Sequence, residues 1–318
     1  MIRPNISPSD ALKSFPLPRP KPRTPKKPQR RSAVTVCIAA ICTYYQDDIE
    51  EWFRWPEIDK PQPYIIGISD RMVSTDYTQS ELPRPKFANI VNSIMALMGG
   101  HIASQTDVFE RTHSYFASDF RDDSRIIQVK EVAERYSRNI ATFLNERRDR
   151  MCFALTGKEW NDFVKEKKWP SYNEIIREIE KKPSMPTIIT GIDESGAHIY
   201  VVDINGYFSC EDSIGFAAIG SGEFHADPQL MRIKHSIKAS YPDTLLLTYI
   251  AKKQAEVDPD VGKETDIFVI KDESDWEPLH ETTVTMLKDT YNAIYDKLLD
   301  EAKKKIQKHL IEERKKSS

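Results

Sequence analysis

Four cysteines in 318 residues are too few for a disulfide scaffold, and Cys37, Cys42, Cys152 and Cys210 show no paired metal-ligand spacing. A reducing, cytoplasmic compartment is the expectation. Long apolar runs are also missing. The longest, Ala33 to Cys42 broken by Thr35, is far short of the roughly 20 residues that a spanning helix needs, so no membrane partner is expected. Nor is there a surplus of positive charge: 46 Lys and Arg against 49 Asp and Glu leave a net charge of -3, so no global field recruits nucleic acid. None of the seven histidines stands in an H-E-x-x-H spacing, and neither a Walker A loop nor a G-x-S-x-G elbow occurs. No metal or cofactor is expected. What the chain does hold is core material, 39% apolar residues in a length sufficient for one large domain or two ordinary ones.

The charge balance conceals an asymmetry. Residues 1–34 carry 8 of the 20 prolines and nine Lys or Arg against one acid, Asp10. Proline removes backbone donors and favours extended conformations, and the charges repel, so this stretch reads as a disordered extension or propeptide. A nucleic-acid contact by the tail remains open. A twin-arginine export signal at Arg30-Arg31 fits less well, because the apolar run that follows alternates like a strand and has no small-residue cleavage pattern.

From there the periodicity predicts strands at Thr35–Thr43 and Tyr64–Asp70, joined by an acidic loop containing Trp52, Phe53 and Trp55. Strand material continues over Phe87–Met98. Helical spacing follows over Ile102–Phe116 and Val129–Arg148, and a Lys-rich stretch with Trp160 and Trp169 over 151–186 reads as an insertion with short helices. Strands return at Thr187–Asp193, His198–Val202, Tyr207–Cys210 and Gly215–Ile219. Helices at Ala226–Ala239 and Pro242–Glu256 precede a last strand, Asp266–Ile270. Grouped strands separated by helix pairs predict an α+β fold of antiparallel sheets with helices outside, rather than alternating βαβ units. Residues 274–318 form a helical C-terminal extension in which Leu287, Tyr291, Ile294, Leu298, Ala302, Ile306 and Ile311 recur along one stripe. That stripe either packs on its own domain or clasps a neighbour.

Single polar residues say little, and Gly220-Ser221-Gly222 alone reads as a tight turn. The positions taken together say more. Thr35-Val36-Cys37-Ile38-Ala39-Ala40, Gly67-Ile68-Ser69-Asp70-Arg71, Lys86 sixteen residues after Asp70, and Gly99-Gly100 occur in that order. They are followed by Gly191-Ile192-Asp193-Glu194-Ser195-Gly196, Ile219-Gly220-Ser221-Gly222, and Asp258 four residues before Gly262. This series, over residues 35 to about 270, resembles the proteasome-type N-terminal-nucleophile (Ntn) hydrolases. The opening Thr-Val-Cys-Ile-Ala is most similar to the bacterial Anbu branch.

The resemblance implies a four-layer αββα sandwich over 35–273, with insertions near 44–63 and 151–186. It implies hydrolysis of amide bonds by the Thr35 hydroxyl, with the residue's own free amine as base. An α-amine titrates at about 7.7–8.0, close to the pH at which a general base works best. Lys86 is implied to favour the deprotonated hydroxyl and Asp70 to hold Lys86. Ser221 and Asp258 orient the amine and a water, and the Gly100 N–H stabilises the oxyanion. Cys37, a small residue on a buried strand, reads as core rather than as an alternative nucleophile. A peptide or protein substrate and self-association into a ring or open spiral, with or without an ATPase partner, are implied too.

Two features depart from that pattern. Val261 stands where the family usually has a serine that bonds to the amine. Thr35 is also preceded by 34 residues, so its nitrogen is an amide and must be exposed before it can act. Val34 is stiff where self-processing precursors carry glycine, and a start at codon 34 followed by methionine removal is the other route. A non-catalytic ring or assembly subunit and a small-molecule amidohydrolase are the competing classes. The first has no use for Asp70, Lys86, Ser221 and Asp258 together.

Overall fold

Val36, Ile38, Ala40 and Cys42 face one side of the first strand, Cys37, Ala39 and Ile41 face the other, and both sides are buried. The computed structural model describes residues 35–45, 61–74, 79–81, 83–119, 127–166 and 171–316. The tail over 1–34, the loop residues Trp52, Phe53 and Trp55, and Trp169 lie outside them. Strand β1 (Cys37–Tyr44) pairs antiparallel with β2 (Gln62–Asp70) in a register that sets Cys37 against Ser69 and Tyr44 against Gln62. A small hairpin of β3 (Met72–Ser74) and β4 (Gln79–Glu81) follows. It was not foreseen, because three-residue strands are too short to show an alternation.

The Phe87–Met98 stretch is two strands, β5 (Phe87–Val91) and β6 (Ile94–Met98), reversed at Asn92, whose φ of 50° is the left-handed conformation that Asn tolerates. Helix α1 covers Ile102–Asp119. Helix α2, Val129–Thr156, runs eight residues past its expected end, because Cys152 is buried with Phe163 and Ile179 of the next two helices. Those helices, α3 (Trp160–Lys165) and α4 (Tyr172–Ile179), make a satellite core on the end of α2.

Strands β7 (Thr187–Asp193), β8 (Gly196–Val202) and β9 (Phe208–Cys210) continue the meander, and β10 is Phe216–Ile219. Helix α5, Glu223–Arg232, starts and stops earlier than the apolar spacing suggested. Lys234 turns to a φ of 55°, which directs the His235 ring onto β1, where Nε2–H donates to the Ile41 carbonyl at 2.9 Å. Helix α6, Tyr241–Ala255, is capped by Ser240, whose hydroxyl accepts the Asp243 N–H at 3.2 Å. Strands β11 (Thr265–Ile270) and β12 (Trp276–Pro278) and the helix α7 (Glu281–Lys316) complete the chain.

Two five-stranded antiparallel sheets result, in the orders β10-β1-β2-β11-β12 and β5-β6-β7-β8-β9. The fold is α+β. Cys37, Ala39, Ile65 and Phe268 of the first sheet share one apolar cluster with Leu97, Ile188 and Ile199 of the second. The other face of the first sheet packs with α5, α6 and the first turns of α7, and the other face of the second with α1 and α2. Phe268 lies so close to Gly67 that a Cβ at Gly67 would stand 2.1 Å from its ring. No described helix is long and apolar enough to cross a membrane.

Candidate active site

Four chain segments that are distant in sequence meet at the start of β1. Thr35 lies two residues before β1, Asp70 ends its neighbour β2, Lys86 precedes β5 in the other sheet, and Ser221 lies in the turn after β10. The register places them, because β1 lies between β2 and β10.

Thr35 and Asp70 are fully buried and Lys86 is 7% exposed. Lys86 Nζ donates to Thr35 Oγ1 at 2.6 Å and to Asp70 Oδ1 at 2.9 Å, and Thr35 Oγ1 donates to the same Asp70 oxygen at 2.5 Å. Three polar side chains therefore close a triangle with a cation on the hydroxyl oxygen. Burying an ion pair is costly unless the remaining lone pairs find donors. Asp70 has them: Oδ1 also accepts the Val36 N–H at 3.0 Å, and Oδ2 accepts those of Met72 at 3.0 Å and Gly262 at 2.8 Å. Each carboxylate oxygen is held, so the carboxylate cannot rotate without breaking several bonds.

Gly99-Gly100 lies against the threonine, and a Cβ at Gly99 would stand 3.1 Å from Thr35 Cγ2. Gly100 has φ of 85°, and a Cβ there would stand 2.1 Å from the Ser184 carbonyl oxygen, so no other residue fits. Its neighbours are pinned, Gly99 N–H to Pro186 O at 2.9 Å and His101 N–H to Ser184 O at 2.7 Å. The structure shows no acceptor for the Gly100 N–H among the described residues.

On the other side Gly220, at φ of 100°, passes the threonine where a Cβ would meet the Thr35 carbonyl oxygen at 2.3 Å. This contact and the bond from Gly222 N–H to Thr35 O at 3.1 Å set the Ser221 turn. Ser221 Oγ accepts the Thr35 N–H at 3.5 Å, the upper limit for such a bond. Asp258 is 8% exposed and its carboxylate accepts the Asp260 N–H at 3.0 Å. Its turn joins the site through its backbone: Asp258 O accepts the Val261 N–H at 3.0 Å, and Gly262 bonds to Asp70. Val261 is 4% exposed, packed so near Gly222 that a Cβ there would stand 2.9 Å from it. Val261 thus packs the Asp258 turn against the Ser221 turn through apolar contact.

Cys37 Sγ lies 4.0 Å from Thr35 Oγ1. Complete burial pushes its thiol up to about 12, which outweighs the opposing pull of Lys86. It is not a thiolate at neutral pH.

Two supporting residues escaped the sequence reading. Gln105 donates to Gly99 O at 2.8 Å and Pro186 O at 3.1 Å, while its own oxygen accepts from Tyr136 at 2.8 Å and Thr187 at 3.1 Å. It fastens the Gly99-Gly100 segment to α2 and β7. Its signal was a polar residue within the buried face that Val108, Thr112 and Phe116 continue along α1. Lys252, fully buried on α6, donates to Glu256 at 2.5 Å and to the Gly262 and Lys263 carbonyls at 2.9 and 3.0 Å. Burial pushes its pKa down, and Glu256 opposes that shift. Its signal was the buried polar series Thr244, Thr248, Lys252 at four-residue steps.

Among the described residues no cluster of His, Cys, Asp or Glu is arranged to hold a metal ion. The chain matches no protein-family model and no curated protein.

Proposed function

We propose that this protein is a proteasome-like threonine peptidase or amidohydrolase of the Ntn type, with Thr35 as nucleophile once the residues before it are gone. The observation that carries the reading is the placement of Lys86 Nζ 2.6 Å from Thr35 Oγ1, with both bonded to one oxygen of buried Asp70. A cation at that distance lowers the cost of forming an alkoxide, and Asp70 keeps it aimed. The two sheets with helices on their outer faces support a four-layer αββα arrangement for this domain.

In the chain that retains Val34 the Thr35 nitrogen is an amide, so this is the precursor form. Cleavage of the 34–35 bond would free an α-amine beside Ser221, able to take the hydroxyl proton, directly or through water, as oxygen attacks the substrate carbonyl. The Gly100 N–H would receive the oxyanion. Collapse of the tetrahedral intermediate would expel the amine half of the substrate, protonated by the same α-amine, and water would then hydrolyse the ester on Thr35.

The test uses chain whose first residue is Thr35, verified by intact mass, assayed on fluorogenic peptide amides. Turnover that disappears in Thr35→Ala and persists in Thr35→Ser supports the reading. Equal turnover in wild type and Thr35→Ala would overturn it. Absence of turnover with all peptide substrates, alongside intact folding, would favour a non-catalytic ring or assembly subunit.

A further inference from the structure

Helix α7 begins on the body of the protein and leaves it. Leu287 is 4% exposed and Val284 and Tyr291 pack on the cluster that holds α5 and α6, but Ile294, Leu298, Ile306 and Leu310 are 39, 61, 60 and 52% exposed. With Ala302 at their centre these four follow at steps of four residues, which traces one continuous i±4 ridge about 24 Å long. An apolar ridge of this length, with Tyr295 and Leu299 beside it, is unfavourable in water and marks a contact surface.

Its pattern selects the occupant. Leu298 and Ile306 lie four residues either side of Ala302, and Ile294 and Leu310 lie eight either side. A second α7 laid antiparallel with its Ala302 on the first would place Ile306 beside Leu298 on both sides of the crossing, with Ile294 and Leu310, turned about 80° away, on the flanks of the contact. The smallest side chain of the ridge would stand at the crossing, where axes approach to about 8–10 Å. Charge agrees with this direction. Residues 289–301 hold Asp289, Asp296, Asp300 and Glu301 against Lys297, whereas the matching stretch 303–315 holds five lysines and Arg314 against Glu312 and Glu313. Antiparallel pairing lays the acidic half of one helix along the basic half of the other, and parallel pairing lays like on like. A surface complementary to itself through a two-fold is what a closed dimer requires.

We propose that the distal half of α7 is a self-association site at which two copies of this chain pair antiparallel about Ala302. The pairing does not depend on the hydrolase reading and uses none of its residues.

Light scattering of the full chain at tens of micromolar tests it. Leu298→Asp with Ile306→Asp lies on exposed positions, so the fold should survive, checked by circular dichroism and thermal melting. The variant should lower the particle mass at least two-fold. Wild-type protein that is monomeric, or whose mass the variant leaves unchanged, overturns the proposal. Direction is read by disulfide cross-linking in a Cys210→Ser background. A mixture of Leu298→Cys and Ile306→Cys chains should cross-link to each other, and Leu298→Cys alone should not. Cross-linking of Leu298→Cys to itself would show parallel pairing and overturn the antiparallel arrangement.

Discussion

Gly262 donates its backbone N–H to Asp70 Oδ2 at 2.8 Å, so the turn after α6 is fastened to the carboxylate that holds Lys86. The same Gly262 presents its carbonyl to the buried Lys252 at 2.9 Å. A chain of hydrogen bonds thus runs from the helical face of the first sheet to the Thr35 hydroxyl.

Lys252→Met should therefore weaken both fold and site. Removing Lys252 leaves the Gly262 and Lys263 carbonyls without their donor and Glu256 with Lys253 alone, a cost of about 1–3 kcal/mol for each unsatisfied carbonyl. Thermal melting should show the loss. Among folded molecules at low temperature, peptide-amide turnover should fall, because the turn that holds Asp70 loosens.

Lys86→Met keeps the side-chain volume and removes the cation. Asp70 retains four donors, Thr35 and the N–H groups of Val36, Met72 and Gly262, so a folded protein is expected. Hydrolysis in chain beginning at Thr35 should fall about 10²–10⁴-fold, the range for loss of a positioned group that assists proton transfer. Near-normal turnover with a normal melting curve would deny Lys86 the role assigned to it.

Cys37 should be chemically silent. Burial pushes the thiol up to about 12, so it stays protonated at pH 8. Iodoacetamide applied to native protein should label the exposed Cys210 and leave Cys37 unmodified by peptide mapping. Cys37→Ala should keep most of the turnover.

Asp227 on α5 predicts a pH dependence of stability. Burial, with Glu223 and Glu211 adding to it, pushes its carboxyl up to about 6, and Oδ1 has no hydrogen-bond partner among the described residues. The folded state holds this proton more tightly than the unfolded chain does. Its contribution therefore favours folding below about pH 4 and is lost as pH rises toward 6. Asp227→Asn should raise the melting temperature at pH 7–8 and leave it nearly unchanged at pH 4. A variant whose effect is equal at both values would contradict this assignment.

Much of the fold was legible because β1 and β7 are buried on both faces and helices α1, α2 and α6 carry strong apolar series. The residues gathered around Thr35 were legible only as an ordered set, since Asp70, Lys86 and Ser221 each look ordinary in isolation. What could not be read depended on tertiary contacts. The last turns of α2 persist because Cys152 meets Phe163 and Ile179, and α5 stops where Lys234 turns His235 onto β1. Gln105 and Lys252 act on the site only through carbonyls brought to them by folding, so their sequence neighbours carry no trace of the role beyond a polar residue on an apolar face.

The central claim is that the Thr35 hydroxyl is the attacking group. The most direct measurement treats protein beginning at Thr35 with a peptide electrophile that forms a stable adduct with an N-terminal threonine, then locates the added mass by peptide sequencing. One equivalent on Thr35, absent from Thr35→Ala and strongly reduced in Lys86→Met, is the predicted result. An adduct on any other residue, or equal labelling of Thr35→Ala, would contradict it.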